Sequence, residues 1–461
     1  MNYFEWFTKV FRRFLPSTFT IAILLTIVTF IGAWIFTGEN NSEHVWLLLE
    51  FWQKGLWTPS LLVFAVQMML MLVLGHVLAL TPFFEGVIGR LTSHCTNTSR
   101  AAMIVVLFTC LMAYFNWGLG LIFGAILARK IGEFARERQI KINYPLIAAS
   151  GYVGLMIWHG GLSGSALIKV AENGHLKNLL PPGSTLTQKE LVPDSLPQSE
   201  TMFAGMNIFV MVCSLVIIPA AMYYLGTRTR KSYVRELPNL KSRSESLVKI
   251  VGAEKLDYSK WVSKSLGLLL ILLAVKNTFL VSGSFSINSI DPNSLNFLLL
   301  SLCLLFHKNI KTFLLAVDEA IIGASGILIQ FPLYFGIMGI MRESGLVNII
   351  SHQIIEMSSV GSFPIYTFLS AAFVNIFIPS GGGQWLIQGP IIVESALRLG
   401  VSLPKCILAF AYGDGLTNMI QPFWAIPLLG ITGLNAREIL PYTLYLFFIG
   451  TIIFMSAILM F

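Results

Sequence analysis

Four short, glycine-rich polar segments interrupt runs that are otherwise apolar. They are Asn116-Trp117-Gly118-Leu119-Gly120, Trp158-His159-Gly160-Gly161-Leu162-Ser163-Gly164-Ser165, Pro379-Ser380-Gly381-Gly382-Gly383-Gln384, and Gly413-Asp414-Gly415-Leu416-Thr417-Asn418, the last followed by Gln421-Pro422. Backbone amides and carbonyls freed in hydrocarbon are costly, so breaks at membrane depth persist only against protein or a watery cavity. The four breaks therefore read as parts of one site. Helix ends exposed there offer free N–H groups and a positive dipole end, which suit a carboxylate. The candidate substrate ligands are Asn116, Gly118, Ser163, Ser165, Asn375, Ser380, Gly381, Gly382, Gln384, Thr417 and Asn418. No Lys or Arg falls within a break, which argues against a bidentate clamp on a dicarboxylate or phosphate and for one carboxylate held weakly.

Asp414 is the only acid inside a break, and ionisable groups within membranes are expensive and often functional. It reads as an ion-coupling residue or as a helix cap. His159 can exchange a proton near neutral pH or stand as a neutral imidazole making two hydrogen bonds. Trp117, Trp158, Phe377, Trp385 and Phe423 lie beside the breaks and either cover a short alkyl tail or pack. His76, Gln67 and Gln330 read as polar contacts between helices, and Lys276 as a snorkelling side chain. The five cysteines lack metal-site spacing and read as reduced. No cofactor is expected beyond a coupling proton or sodium ion.

The elements that position these residues follow from composition. The 461 residues are 55% apolar and 12% charged, whereas a soluble domain is roughly a quarter charged. A soluble enzyme is thereby excluded as the default. A formal charge of +8 can indicate nucleic acid, but the basic residues cluster in short segments between apolar runs, as topogenic signals do. Windows long enough to cross a bilayer, which takes about 20 residues, fall at 18–36, 59–80, 144–168, 203–226, 262–282, 295–306, 321–341, 405–430 and 440–461. The stretches 101–127 and 363–397 break in their middles and read as re-entrant hairpins. Lys9, Arg12 and Arg13 precede a first run too long for a signal-peptide core, so that run is expected to remain as a span. With the N-terminus inside, the basic residues from Arg90 to Lys141 and the ten Lys or Arg of 227–264 all fall on the cytoplasmic side.

Asn116 and Asn375 lie 259 positions apart, as do Gly124 and Gly383, Pro145 and Pro404, and Gly154 and Gly413. This offset suggests two homologous halves, 1–226 and 291–461, joined by a basic loop and linking span over 227–290. An odd linker inverts the second half. The expected fold is an all-α polytopic membrane protein: an inverted-repeat transporter of about nine spanning helices and two re-entrant hairpins, whose broken helices meet near the midplane.

Longer motifs then carry a resemblance. The sequence reads Phe14-Leu15-Pro16, Asn116-Trp117-Gly118, Gly161-Leu162-Ser163-Gly164-Ser165, Phe203-Ala204-Gly205-Met206-Asn207-Ile208-Phe209, Gly326-Ile327-Leu328-Ile329-Gln330-Phe331-Pro332, Pro379-Ser380-Gly381-Gly382-Gly383-Gln384-Trp385-Leu386-Ile387-Gln388-Gly389-Pro390 and Gln421-Pro422-Phe423-Trp424-Ala425-Ile426-Pro427. In this order, over nearly the whole chain, it resembles the bacterial short-chain fatty acid transporters typified by the acetoacetate and butyrate permease. The resemblance implies uptake of short-chain monocarboxylates with a coupling cation, in the bacterial inner membrane. It also implies kinship with the wider ion-transporter superfamily, whose members often work as dimers through an elevator motion. The sequence departs from that pattern where His159 replaces an expected Gly and Asp414-Gly415 an expected Glu-Gln pair. The expected partners are a short-chain monocarboxylate, the lipid bilayer and a second copy as homodimer, with no nucleic acid. The rival readings are a sodium-coupled dicarboxylate or amino-acid carrier, which the missing Arg opposes, and a membrane acyltransferase using His159 and Asp414. The acyltransferase lacks a nucleophile motif such as GxSxG.

Overall fold

The computed structural model describes residues 16–39, 41–180, 191–235, 252–279 and 292–461. Lys9, Arg12, Arg13 and the centre of the basic 227–264 segment lie outside the described residues. Among those described, regular structure is helical apart from one isolated bridge between Ile142 and Ser232. The helices are α1 (Thr18–Phe36), α2 (Ser42–Leu56), α3 (Pro59–Ala79), α4 (Pro82–Ser93), α5 (Thr98–Phe115), α6 (Trp117–Glu137), α7 (Tyr144–Ser150), α8 (Gly154–Ile157), α9 (Ser165–Val170), α10 (His175–Leu179) and α11 (Gly205–Arg228). They continue as α12 (Lys260–Phe279), α13 (Pro292–Phe306), α14 (Ile310–Ala320), α15 (Ser325–Glu343), α16 (Leu346–Glu356), α17 (Phe363–Asn375), α18 (Gly381–Leu399), α19 (Leu403–Thr417), α20 (Ala425–Thr432) and α21 (Ala436–Met460).

Local chemistry sets many of these boundaries. Ser17, Asn41 and Asn97 each accept a backbone N–H at the start of a helix, and Pro opens α3, α4 and α17 at a position where no amide donor is needed. Six described stretches are long and apolar enough to cross a membrane: Thr18–Phe36, Pro59–Ala79, Thr98–Phe115, Gly205–Arg228, Ile310–Glu343 and Ala436–Met460. Five of these overlap expected spans, and the third is the first arm of the expected hairpin at 101–127. The segments 144–168 and 405–430 are each broken in the middle. All five cysteines are unpaired.

The helices pack in two groups. In one, α15 lies against α1 and α2, and α13 against α3 and α12. In the other, α5 packs on α6 and α11, while α17 packs on α19. The groups meet where α3 and α15 face α6 and α20. Gln67 on α3 donates to Asn293 Oδ1 at 2.7 Å, as expected of a polar contact between helices. His76 and Gln330 differ: both residues line a cavity between the two groups, and His76 Nε2 and Gln330 Oε1 are buried without a hydrogen-bond partner.

Glycine permits the closest crossings. A Cβ on Gly413 would run into the Phe368 carbonyl, so α19 approaches the α17 backbone directly. Gly413→Ala is expected to cost about 1–3 kcal/mol by overpacking, read as a lower melting temperature of the detergent-solubilised protein. An unchanged melting temperature would mean that this crossing relaxes freely.

Candidate functional site

The first hairpin turns on a single residue. Asn116 is extended, with φ −153° and ψ 129°, and its Oδ1 accepts the Leu119 N–H at 3.0 Å, which starts α6. The adjoining Trp117 N–H donates to Ser163 Oγ at 2.9 Å, and the Leu162 N–H donates to the Tyr114 carbonyl at 2.7 Å. The first tip is thus hydrogen-bonded to the break between α8 and α9. Gly161 is required there, since a Cβ would meet the Tyr114 backbone. The second hairpin turns over 376–380, where Ser380 Oγ accepts the Gly383 N–H at 3.3 Å and starts α18. The expected correspondence of Asn116 with Asn375 does not hold at the caps: five residues separate α17 from α18 where one separates α5 from α6. Ser380 therefore does what Asn116 does.

The second tip closes on the first break. A Cβ on Gly381 would lie 2.8 Å from His159 Cε1, and one on Gly382 would lie 3.7 Å from Ser165 Cβ. His159 is 1% exposed, and its Nε2 accepts the Ala166 N–H at 3.1 Å. A backbone amide can only donate, so Nε2 carries no proton and Nδ1 must. Nδ1–H then donates to Asp414 Oδ2 at 2.6 Å. Both imidazole nitrogens are occupied and the ring is neutral in this arrangement, one of the two forms expected for it. Asp414 acts as an acceptor joining α19 to the first break, and its Oδ1 has no partner.

Several candidates use their polar atoms to hold the second break. The Asn375 amide donates to the Asp414 carbonyl at 2.7 Å and is shared with Thr417 Oγ1 and Asn418 Oδ1, each at 3.0 Å. Asn418 Nδ2 donates to the Leu155 carbonyl at 2.8 Å, and the Tyr152 hydroxyl donates to the Asn418 carbonyl at 2.9 Å. Gln384 Nε2 turns to the Ala371 carbonyl and Gln388 Oε1. The structure thus brings Asn116, Gly118, Ser163, Ser165, Ser380, Gly381 and Gly382 to the hairpin tips and the first break, while Asn375, Gln384, Thr417 and Asn418 hold the surrounding backbone.

The aromatic candidates divide likewise. Trp117 packs with Trp158, Trp424 and Phe64 beside the first tip. Trp385 is fully buried against Phe410 and donates to His175 Nε2 at 3.0 Å, while Phe423 stacks on Phe331. Those two pack the interior and do not cover the tips. Phe64 and Trp424 escaped the sequence reading, since an aromatic inside an apolar run carries no distinguishing signal. Near the second break lies an apolar cavity of about 260 Å³ lined by Ile21, Leu25, Tyr152, Ile376, Ile420, Gln421 and Pro422, among others.

Apolar helices long enough to cross a bilayer, with broken ends gathered on a buried polar centre, define a polytopic membrane transporter. The chain belongs to the short-chain fatty acid transporter family, whose family model, "Short chain fatty acid transporter", matches residues 4–461. A relative from Haemophilus influenzae is 32% identical over 446 residues, covering 94% of each chain. One from Escherichia coli is 32% identical over 459 residues, covering 98% of each. Both are named, provisionally, short-chain fatty acid transporter. Family and relatives make this a transporter and not an enzyme. Among solved structures, the Alcanivorax borkumensis YdaH transporter aligns with a TM-score of 0.44 at 13% identity, covering 95% of this chain and 98% of that one. Neisseria gonorrhoeae MtrF, described as illuminating a class of antimetabolite efflux pumps, aligns with a TM-score of 0.42 at 13% identity, covering 99% and 97%.

Proposed function

We propose that this protein carries short-chain monocarboxylates such as butyrate or acetoacetate across the bacterial inner membrane by cation-coupled symport. The observation that carries this reading is the meeting of two capped helix starts, α6 and α18, with the Ser163–Ser165 break, without any Lys or Arg in the breaks. The first amides of a helix precede its first internal hydrogen bond; with Trp117, Leu119 and Gly383 already donating to side chains, those of Gly118, Gly381 and Gly382 are the ones open to an anion. Ser163 Oγ and Ser380 Oγ each accept one backbone N–H and keep a hydroxyl proton to donate. Such a cradle neutralises one carboxylate by dipoles alone, without a second charge to hold a dicarboxylate. Coupling is required because an inside-negative potential opposes entry of one negative charge by about 2.3 kcal/mol per 100 mV.

The runs α5–α11 and α17–α21 follow the same order of hairpin, broken helix and long helix, which supports a duplicated architecture; the odd linking span makes the second half inverted in this reading, and the basic loops put the N-terminus in the cytoplasm. In that reading the hairpins and broken helices form the moving part that travels against α1, α12 and α13 in a homodimer, with the second tip parting from the first break to admit substrate. The test is initial uptake of labelled butyrate and acetoacetate into proteoliposomes, with succinate as competitor. Ser163→Ala and Ser380→Ala are each expected to raise KM about tenfold, the worth of one hydrogen bond to a charged group. Unchanged uptake in both variants would move the carboxylate elsewhere. Transport of succinate in place of butyrate would overturn the substrate class.

A further inference from the structure

A cavity of about 550 Å³ separates the two helical groups at the end of the molecule that holds the start of α1. One wall carries His76 of α3, Asp318 and Glu319 of α14, and Gln330 of α15, while the other carries Arg129 of α6, α20 from Ile426, and Arg437 of α21. Arg129 stands twelve residues past the first tip, about 18 Å along α6 at the helical rise, so it belongs to this cavity and not to the tips. It is only 4% exposed; its Nε donates to Glu133 at 2.8 Å and its guanidinium to the Ile431 carbonyl at 2.6 Å. Lys130 pairs with the same Glu133 at 3.0 Å.

Three polar atoms on the opposite wall have no such partner: His76 Nε2, Glu319 Oε1 and Gln330 Oε1. His76 is 5% exposed. Buried polar atoms without hydrogen bonds are expensive. Here a carboxyl and an imidazole face the same space, between groups that the transport reading sets in relative motion. The charges around them are Arg129, Lys130 and Glu133 from α6, Asp318 from α14 and Arg437 from α21. His159 differs in kind, since both its imidazole nitrogens are already bonded, and Asp414, whose Oδ1 also lacks a partner, is 1% exposed and does not line this cavity.

We propose that Glu319 is the proton-binding carboxyl of the transport cycle, with His76 as a second acceptor on the same wall of the cavity, so that the coupling ion is a proton. A proton from water adds to the Glu319 carboxylate, giving a neutral acid on the same wall as the unpartnered His76 Nε2 and Gln330 Oε1. Its return to water restores the carboxylate, and no other reactant is consumed. The assignment rests on the transport reading, and the experiment separates the two.

The measurements are butyrate counterflow without any gradient, and net uptake driven by an inward proton or sodium gradient. Both are taken as initial rates above protein-free liposomes, because neutral butyric acid crosses lipid unaided. For the natural protein, counterflow and proton-driven uptake are expected. Glu319→Gln should keep counterflow within about twofold while losing at least tenfold in proton-driven net uptake, and His76→Gln should shift the pH dependence of net uptake with counterflow retained. Glu319→Gln with undiminished proton-driven uptake, or with counterflow lost in step with net uptake, would overturn the proposal. So would natural protein driven by sodium and not by protons. Absence of butyrate counterflow in the natural protein would instead sink the substrate reading. Proton uptake by the lightly buffered purified protein on an acid step, diminished by one site in Glu319→Gln, checks the proton site without transport.

Discussion

Asp414→Ala is expected to reduce butyrate uptake by up to about a hundredfold at equal membrane abundance, whereas Asp414→Asn should stay within about tenfold of the natural protein. The asymmetry follows from what Asp414 does in the site. Its Oδ2 accepts the Nδ1–H of His159 at 2.6 Å, and both side chains are 1% exposed. Alanine removes the acceptor and leaves a buried N–H unpaired next to Gly381, so the imidazole no longer holds the first break against the second tip. Leaving a buried donor unsatisfied costs about 1–3 kcal/mol, and at 1.4 kcal/mol per decade the upper figure reaches a hundredfold if it falls on the transport-competent state. An asparagine amide oxygen can still accept from Nδ1–H, so the geometry survives without the charge. Equal inactivity of Asn and Ala would show that the charge itself is used. The coupling ion would then sit at Asp414 and not in the cavity lined by Glu319.

Much of this arrangement was legible in the sequence, for an identifiable reason. A polar, glycine-rich interruption inside an apolar run has few stable placements in lipid, so Asn116, Gly161–Ser165, Ser380 and Gly413–Asn418 advertised themselves. Length and hydropathy do not report the helices that lie between spans. The segments that form α2, α4, α14 and α16 are 11 to 15 residues long, shorter than the roughly 20 residues a span takes. The charges of α2 and α14, Glu43, Glu50, Lys54, Lys311, Asp318 and Glu319, dilute an apolar window. Arg129 was read with the topogenic basic residues, yet it is buried against Ile431, because the arm of the hairpin continues to Glu137 before the chain turns. A fixed offset of 259 could not pair Asn116 with Ser380, since the two connections differ in length while α7 and α19 do begin 259 apart. His76 and Gln330 show the same limit: a polar residue in a span says that something must satisfy it, but whether that is a neighbouring helix or a cavity depends on packing that sequence spacing does not encode.

The second large effect concerns whether the hairpin tip must part from the break. Replacing Gly382 and Ser165 together by cysteine places two Cβ atoms close to 3.7 Å apart, within the roughly 3.5–4.5 Å that a disulfide spans. Oxidation of that double variant is expected to cut uptake to a few per cent of its reduced level, about 30-fold or more, with recovery on adding a thiol; the size follows from locking a gate whose opening is obligatory. The reduced double variant should transport within about tenfold of the natural protein, since Ser165 contributes at most one donor. The argument is steric. The α18 start covers Ser165, Trp158 and His159 so closely that Gly381 and Gly382 are the residues at the contact, and a carboxylate cannot reach the amides of α18 until the two surfaces separate. Fully cross-linked protein that still transported would mean that the second hairpin and the first break move as one body throughout the cycle. Substrate would then enter from the α1 side, past Ile376, Gln421 and the apolar cavity beside Tyr152.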